Sequence, residues 1–110
     1  MDKFVIQGGG RLAGSVRVSG SKNATLPILA AALLSDGPSV LADAPDLADV
    51  SHMADLMSQL GAEVRRDDQG RIHVQVVDES RSHAPYDTVR KMRASICVLG
   101  PLLAKRTEAR

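Results

Sequence analysis

Aromatic residues are almost missing from this chain: one Phe, one Tyr and no Trp make up 2% of its 110 residues. Its core must therefore be filled by Ala, Val, Leu, Ile and Met. Cysteine is as scarce. The single Cys97 excludes an internal disulfide and a cysteine-rich zinc site, and its setting, Ser-Ile-Cys-Val-Leu in an apolar helical pattern, favours an inert packed thiol. Charge of one sign is also lacking. A formal net charge of +1 gives no strong field, so nothing in the composition points to nucleic acid or an anionic membrane as partner, and any anion binding must be local. No long hydrophobic run is present. The longest, Leu26 to Leu34, is far too short to span a bilayer and lacks the flanks of a secretion signal, so the expected compartment is the cytoplasm.

What is there is ordinary for a folded protein, with 44% hydrophobic and 25% charged residues. A chain of 110 residues can bury one modest core, so one domain, or part of one, is the limit. Alternation predicts two half-buried strands at the start, one carrying Phe4 and Ile6 and one with Leu12, Gly14, Val16 and Val18 on one face. Gly8-Gly9-Gly10 lies between them. No Lys-Ser/Thr or dinucleotide spacing follows it, so a hairpin turn is the better reading than a phosphate-cradling loop.

From Lys22 to Leu34 the chain is apolar on nearly every side, which predicts a helix buried all round, with Pro27 tolerable in its first turn. Ser35-Asp36-Gly37-Pro38 stops it, and Val40-Leu41-Ala42 reads as a short buried strand. Asp46 with Asp49 signals a second helix with the stripe Leu47, Val50, Met53, Ala54, Met57 and Leu60, closed by Gly61 as a left-handed cap. Glu63 to Arg66 and Arg71 to Val76 form a hairpin around Asp67-Asp68-Gln69-Gly70, with Ile72, Val74 and Val76 facing inward. Asp87 is expected to cap a third helix whose face is Val89, Met92, Ile96, Leu99 and Leu103, with Pro101 kinking or ending it. The class is mixed alpha and beta. The chain stops after this helix without the strand expected to follow, and so reads as a truncated unit.

Two places put positive charge where structure alone does not ask for it. Ser19-Gly20-Ser21-Lys22-Asn23 delivers a Lys and an Asn to a helix N-terminus, which itself carries about half a positive charge and unpaired N–H groups. A phosphate or carboxylate there is one remedy; a Lys22 side chain pointing into water is the other. Arg90, Lys91 and Arg93 in the opening turns of the third helix pose the same question. Small residues, Ala94 and Ser95, follow Arg93 and would admit a substrate to its planar fork, but a solvated basic face explains the spacing as well. His52, His73 and His83 are far apart on faces expected to be exposed, with no metal-ligand spacing. Asp46, Asp49 and Asp55 read as helix surface or cap.

The segments Gln7-Gly8, Leu12-Ala13-Gly14 and Val18-Ser19-Gly20-Ser21-Lys22-Asn23-Ala24-Thr25-Leu26-Pro27-Ile28, with Met1-Asp2-Lys3-Phe4 before them, resemble the opening of the UDP-N-acetylglucosamine 1-carboxyvinyltransferases, a branch of the enolpyruvyl transferase family. Leu60-Gly61-Ala62, Ala84-Pro85-Tyr86, Met92-Arg93-Ala94-Ser95-Ile96 and Leu99-Gly100-Pro101 are similar to later family segments in the same order. The shikimate-type transferases share the Gly-Ser-Lys turn but usually have Ser after the Lys; Asn23 and Leu26-Pro27 favour the sugar-nucleotide branch. The resemblance implies one strand–helix repeat unit of an inside-out alpha/beta barrel. Residues 1–21 would belong to strands of a second domain, and residues 22–110 would form the first repeat unit and the start of the next. It further implies that Lys22 and Asn23 contact phosphoenolpyruvate, with the Lys22 ammonium on the phosphate, and that Arg93 contacts UDP-N-acetylglucosamine. No metal or other cofactor is implied. The family's cysteine acid and aspartate base would lie beyond Arg110, in the remainder of a full-length enzyme, so no catalytic residue is expected in this chain and it should be silent alone. The alternatives are a shikimate-type enzyme and a small module that binds an anion or a partner without chemistry.

Overall fold

The computed structural model describes residues 2–110. The chain is an alpha+beta unit in which three short strands and the helices before, between and after them share one aliphatic core. Helix α1 (Lys22–Ala31) runs into a 3-10 turn (Ala32–Leu34); β1 (Ser39–Leu41) and α2 (Ala48–Gln59) follow, then the hairpin β2 (Ala62–Arg66) and β3 (Ile72–Val76). Helix α3 (Tyr86–Val89), a 3-10 segment (Arg93–Val98) and α4 (Leu99–Arg106) complete it. The sheet is antiparallel in the order β1-β3-β2, with Val64 opposite Val74 and Leu41 opposite Ile72.

The hairpin forms where the alternation placed it. Ile72 and Val74 are buried on the side facing α2, and Val76 is half-buried. Its turn is locked by the Asp67 carboxylate, which accepts from the Gln69 and Arg71 N–H groups, the Arg71 guanidinium and the His73 ring. Gly61 does end α2 in a left-handed conformation, with φ of 85°. Its carbonyl accepts the N–H groups of Val77 and Asp78, so the hairpin's far end is tied to the turn that opens it.

In the first half of the chain the structure departs from expectation at four places. Residues 2–20 carry no strand and no glycine hairpin; Phe4, Ile6, Leu12, Val16 and Val18 are each at least 90% exposed. Alternation marks a segment that can pair, and in this chain no sheet edge meets it; an isolated two-stranded hairpin is marginal in water. Helix α1 is not buried all round. Thr25, Leu26, Leu29 and Ala30 face the core, while Pro27, Ile28 and Ala31 face outward. Val40, in the strand expected to be buried, is likewise exposed. Asp46 does not cap α2: Leu47 holds that position with no side-chain cap, and Asp49 is turned toward a partner outside its own helix.

The third helix is the largest correction. It breaks into α3, a 3-10 segment and α4, and its buried side chains are Met92, Ser95, Val98 and Leu102, with Ile96, Leu99 and Leu103 exposed. The spacing of three from Met92 to Ser95 to Val98 is the 3.0-residue period of a 3-10 helix, so the 3.6-residue reading slips onto the wrong face. Ser95 fixes the break with its buried hydroxyl, whose single hydrogen is shared between the carbonyls of Met92 (2.7 Å) and Val89 (3.0 Å). Pro101 neither kinks nor ends α4; it sits in that helix's first turn, where its missing N–H costs nothing. Asp87 does not cap α3 either. Pro85 precedes the helix, and Asp87 pairs with Arg90 at 3.1 Å.

The core joins Leu29 and Leu33 to Val50, Met53, Leu56 and Met57 of α2, Leu60 just after it, Ile72 and Val74 of the sheet, and Leu102 of α4. Each such side chain contributes about 1.5–3 kcal/mol when fully buried. Two cations stitch the periphery. Lys105 donates to the Leu34 and Ser35 carbonyls and pairs with Asp36 and Glu79, while Arg106 donates to the Leu60 and Arg81 carbonyls. Together they fix α4 over the ends of α1 and α2.

Candidate functional site

The mouth of α1 is built by the segment that leads into it. Gly20 lies against the loop between β1 and α2 so closely that an added methyl would come 1.8 Å from the Asp43 carbonyl oxygen; only glycine fits. Arg17 pairs with the Asp43 carboxylate at 3.1 Å. The same loop is also held by Arg66, which donates to the Ala44 and Pro45 carbonyls as well as to that of Gly70. This contact sets the first residue of α1 beside the first turn of α2.

Lys22 is that residue. Ser21 precedes it in extended conformation without making a side-chain cap, and no acidic residue lies in the first turn of α1. The anion that joins Lys22 comes from the neighbouring helix: its ammonium donates to Asp49 Oδ2 at 2.7 Å. This hydrogen bond holds the Asp49 carboxyl below its ordinary range, against a smaller opposing effect of burial. Lys22 is thus paired within the chain while its side chain stays partly open to solvent. Asp49, read from sequence as helix surface, is the polar residue that reasoning along the chain missed. The pair is 27 positions apart, and only the packing of α1 on α2 brings it together.

Asn23, one residue on, is exposed. Arg93 opens the 3-10 segment that packs against α1, and it too is exposed. It lines a shallow groove of about 310 Å³ with Val89, Arg90, Met92, Ser95 and Ile96, a groove to which α1 contributes no residue. The structure therefore joins the element bearing Arg93 to α1 without enclosing Lys22, Asn23 and Arg93 in that groove. Arg90 and Lys91 follow α3 and do not open a helix. Arg90 follows the end of α3, the favourable end for a cation, pairs with Asp87 and lies 5.8 Å from the centre of the Tyr86 ring.

The histidines also differ from expectation, since His52 and His73 are half-buried and only His83 is exposed. His73 holds Asp67 Oδ2 at 2.8 Å as part of the hairpin turn. Among the described residues no three His, Cys, Asp or Glu side chains gather as a metal site. Cys97 is a free, half-buried thiol. No helix among the described residues is long and apolar enough to cross a membrane.

A family model described as EPSP synthase (3-phosphoshikimate 1-carboxyvinyltransferase) matches residues 6–110. The chain belongs to this family. Among its relatives, the UDP-N-acetylglucosamine 1-carboxyvinyltransferase of Akkermansia muciniphila is 51% identical over 105 residues, covering 96% of this chain and 24% of that protein. The enzyme of the same name from Maricaulis maris is 50% identical over 112 residues, covering all of this chain and 26% of that protein. The crystal structure of the enolpyruvyl transferase NikO from Streptomyces tendae superposes with a TM-score of 0.69 at 27% identity, over 89% of this chain and 23% of that one. The chain thus spans about a quarter of the length of the curated relatives it matches. Its alpha+beta unit corresponds to part of the enolpyruvyl transferase fold, an inside-out alpha/beta barrel.

Proposed function

We propose that the protein carrying this chain transfers the enolpyruvyl group of phosphoenolpyruvate to the 3-hydroxyl of UDP-N-acetylglucosamine, the first committed step of peptidoglycan synthesis, and does so in the cytoplasm. The observation that carries this reading is the identity of 50% along the whole chain to a relative named for that reaction. The family model's description names a shikimate enzyme instead, but Asn23 and Leu26-Pro27 depart from that branch. In the reaction the sugar oxygen adds to C2 of the enolpyruvyl double bond while C3 gains a proton; phosphate then leaves C2 as C3 gives a proton up. Charge on the leaving phosphate grows in the second step, so a fixed cation beside it lowers the barrier.

Lys22 and Asn23 are proposed to contact phosphoenolpyruvate, with the Lys22 ammonium on its phosphate, and Arg93 the sugar nucleotide. Support comes from the position of Lys22 at a helix start with no side-chain cap, from the exposure of all three residues, and from the packing of the Arg93 segment on α1. Residues 1–21 are proposed to belong to strands of a second domain of the whole protein, and 22–110 to form the first repeat unit and the start of the next, which would place Lys22 near the seam; the exposure of the alternating segment 2–18 supports this. The 110-residue chain alone is expected to give no turnover.

Phosphate release by the whole protein tests the reading. With phosphoenolpyruvate, UDP-N-acetylglucosamine should support turnover and shikimate 3-phosphate should not. Lys22→Ala should lower the rate by about 100-fold or more, the usual loss when one fixed charge-stabilising donor is removed. Turnover with shikimate 3-phosphate alone would overturn the assignment of acceptor.

A further inference from the structure

The Lys22 ammonium is already paired, and its partner sits in a distinctive place. Asp49 is the second residue of α2, so its carboxylate lies at the end of that helix that favours an anion. Lys22 is the first residue of α1, where its own helix disfavours a cation. The two helix starts are brought side by side, and the 2.7 Å contact satisfies both. The side chains remain partly open to solvent, Lys22 at 43% and Asp49 at 36%. The pair is therefore accessible and not deeply held.

We propose that Asp49 is a built-in competitor for the phosphate subsite: its carboxylate and the phosphate of a ligand contend for the same Lys22 ammonium, so that Asp49 sets how tightly the site takes an anion. The inference rests on the reading of Lys22 as a phosphate contact. A carboxylate bonded to the ammonium repels a phosphate dianion approaching it, and the ligand must displace that carboxylate or bear the repulsion. Partly exposed ion pairs are weak, so the competition is modest. Neutralising Asp49 should tighten phosphate binding by about two- to fivefold.

Calorimetric titration of the whole protein with inorganic phosphate, at low and constant ionic strength, tests this. Asp49→Asn should bind phosphate about two- to fivefold more tightly than the parent, and Asp49→Glu, which keeps the charge, should bind as the parent does. Asp49→Ser, neutral and shorter, should behave like the Asn variant and guards against a misfolded single substitution. Parental or weaker phosphate affinity in both neutral variants overturns the competitor role. Lys22→Ala separates the two levels: if it leaves phosphate affinity unchanged, the reading of the subsite itself fails, whatever Asp49 does. If it weakens binding while the neutral Asp49 variants do not tighten it, only the competitor role falls.

Discussion

Gly61→Ala should be among the most damaging single-methyl additions in this chain. The residue has φ of 85°, and a Cβ placed there would come 2.0 Å from the Asp78 carbonyl oxygen and 3.2 Å from the Asp78 Cβ. An L-residue in the left-handed region costs about 1–2 kcal/mol by itself. Relieving a 2.0 Å contact requires a backbone shift of more than 1 Å, because carbonyl oxygen and methyl carbon settle at about 3.5 Å. That shift breaks the hydrogen bonds from the Val77 and Asp78 N–H groups to the Gly61 carbonyl, each a net loss of about 1 kcal/mol. The sum is about 3–4 kcal/mol, a large share of a stability of about 5–15 kcal/mol. Gly70→Ala is the control. Its φ is 76°, but the nearest atom to an added Cβ is the Arg66 guanidinium at 3.9 Å, so only the conformational cost applies. Urea unfolding followed by circular dichroism should separate the two variants by about 2 kcal/mol. Equal losses at the two positions would refute the claim that the Asp78 contact, and not the backbone conformation, makes Gly61 obligatory.

Two further outcomes follow from the hydrogen-bond geometry. The Asp67 carboxyl is held well below the usual carboxylate range, first by the His73 ring and then by Arg71 and two N–H groups, with burial opposing. A depressed native pKa adds stability that is fully present above the unfolded carboxylate value, about 3.9, and is lost as pH falls toward the native value. Thermal unfolding should therefore show Asp67→Asn less stable than the parent at pH 7, with the gap closing as pH drops below about 4; a gap that persists at acid pH counts against this assignment. Ser95→Ala should cost about 1 kcal/mol in urea unfolding, since the buried hydroxyl that bonds Met92 and Val89 is lost without opening a large cavity; no change in the unfolding midpoint would mean the hydroxyl does not hold the break before the 3-10 segment.

Local chemistry made some of this fold readable. The β2–β3 hairpin is legible because a period of two, a four-residue turn rich in Asp and Gly, and a helix-ending glycine all sit within 16 positions, 61–76, and agree. The segment after Asp87 was not legible, because the same apolar residues satisfy a 3.6 and a 3.0 spacing in part, and the choice is made by Ser95 bonding back to Met92 and Val89. The candidate site divides in the same way. Lys22 at a helix start is a local fact that the turn Ser19-Gly20-Ser21 announces. The Asp49 partner is a tertiary fact, produced when Gly20 lets the leading segment touch the Asp43 loop and α1 packs on α2.

Helix α1 shows how the same sequence can be right for one surrounding and unexplained in another. Pro27, Ile28, Ala31 and Leu34 make an apolar outer face, and Ile28 is 49% exposed although Leu29 beside it is fully buried. A helix apolar all round belongs inside a larger protein, and this chain spans about a quarter of its relatives' length. If the remaining length packs on that outer face, Ile28→Asp will behave differently in two contexts. In the 110-residue chain the new carboxylate stays hydrated, and stability should change by no more than about 0.5 kcal/mol, as for other surface positions. In the whole protein the same carboxylate would be buried without a partner, a penalty of several kcal/mol that should remove the folded state or collapse its thermal midpoint. Leu29→Ala, which opens a cavity in the core described here, should cost about 3–5 kcal/mol in both contexts. An Ile28→Asp effect as small in the whole protein as in the chain would show that the outer face of α1 meets water there too, and the apolar pattern of residues 22–34 would need another cause.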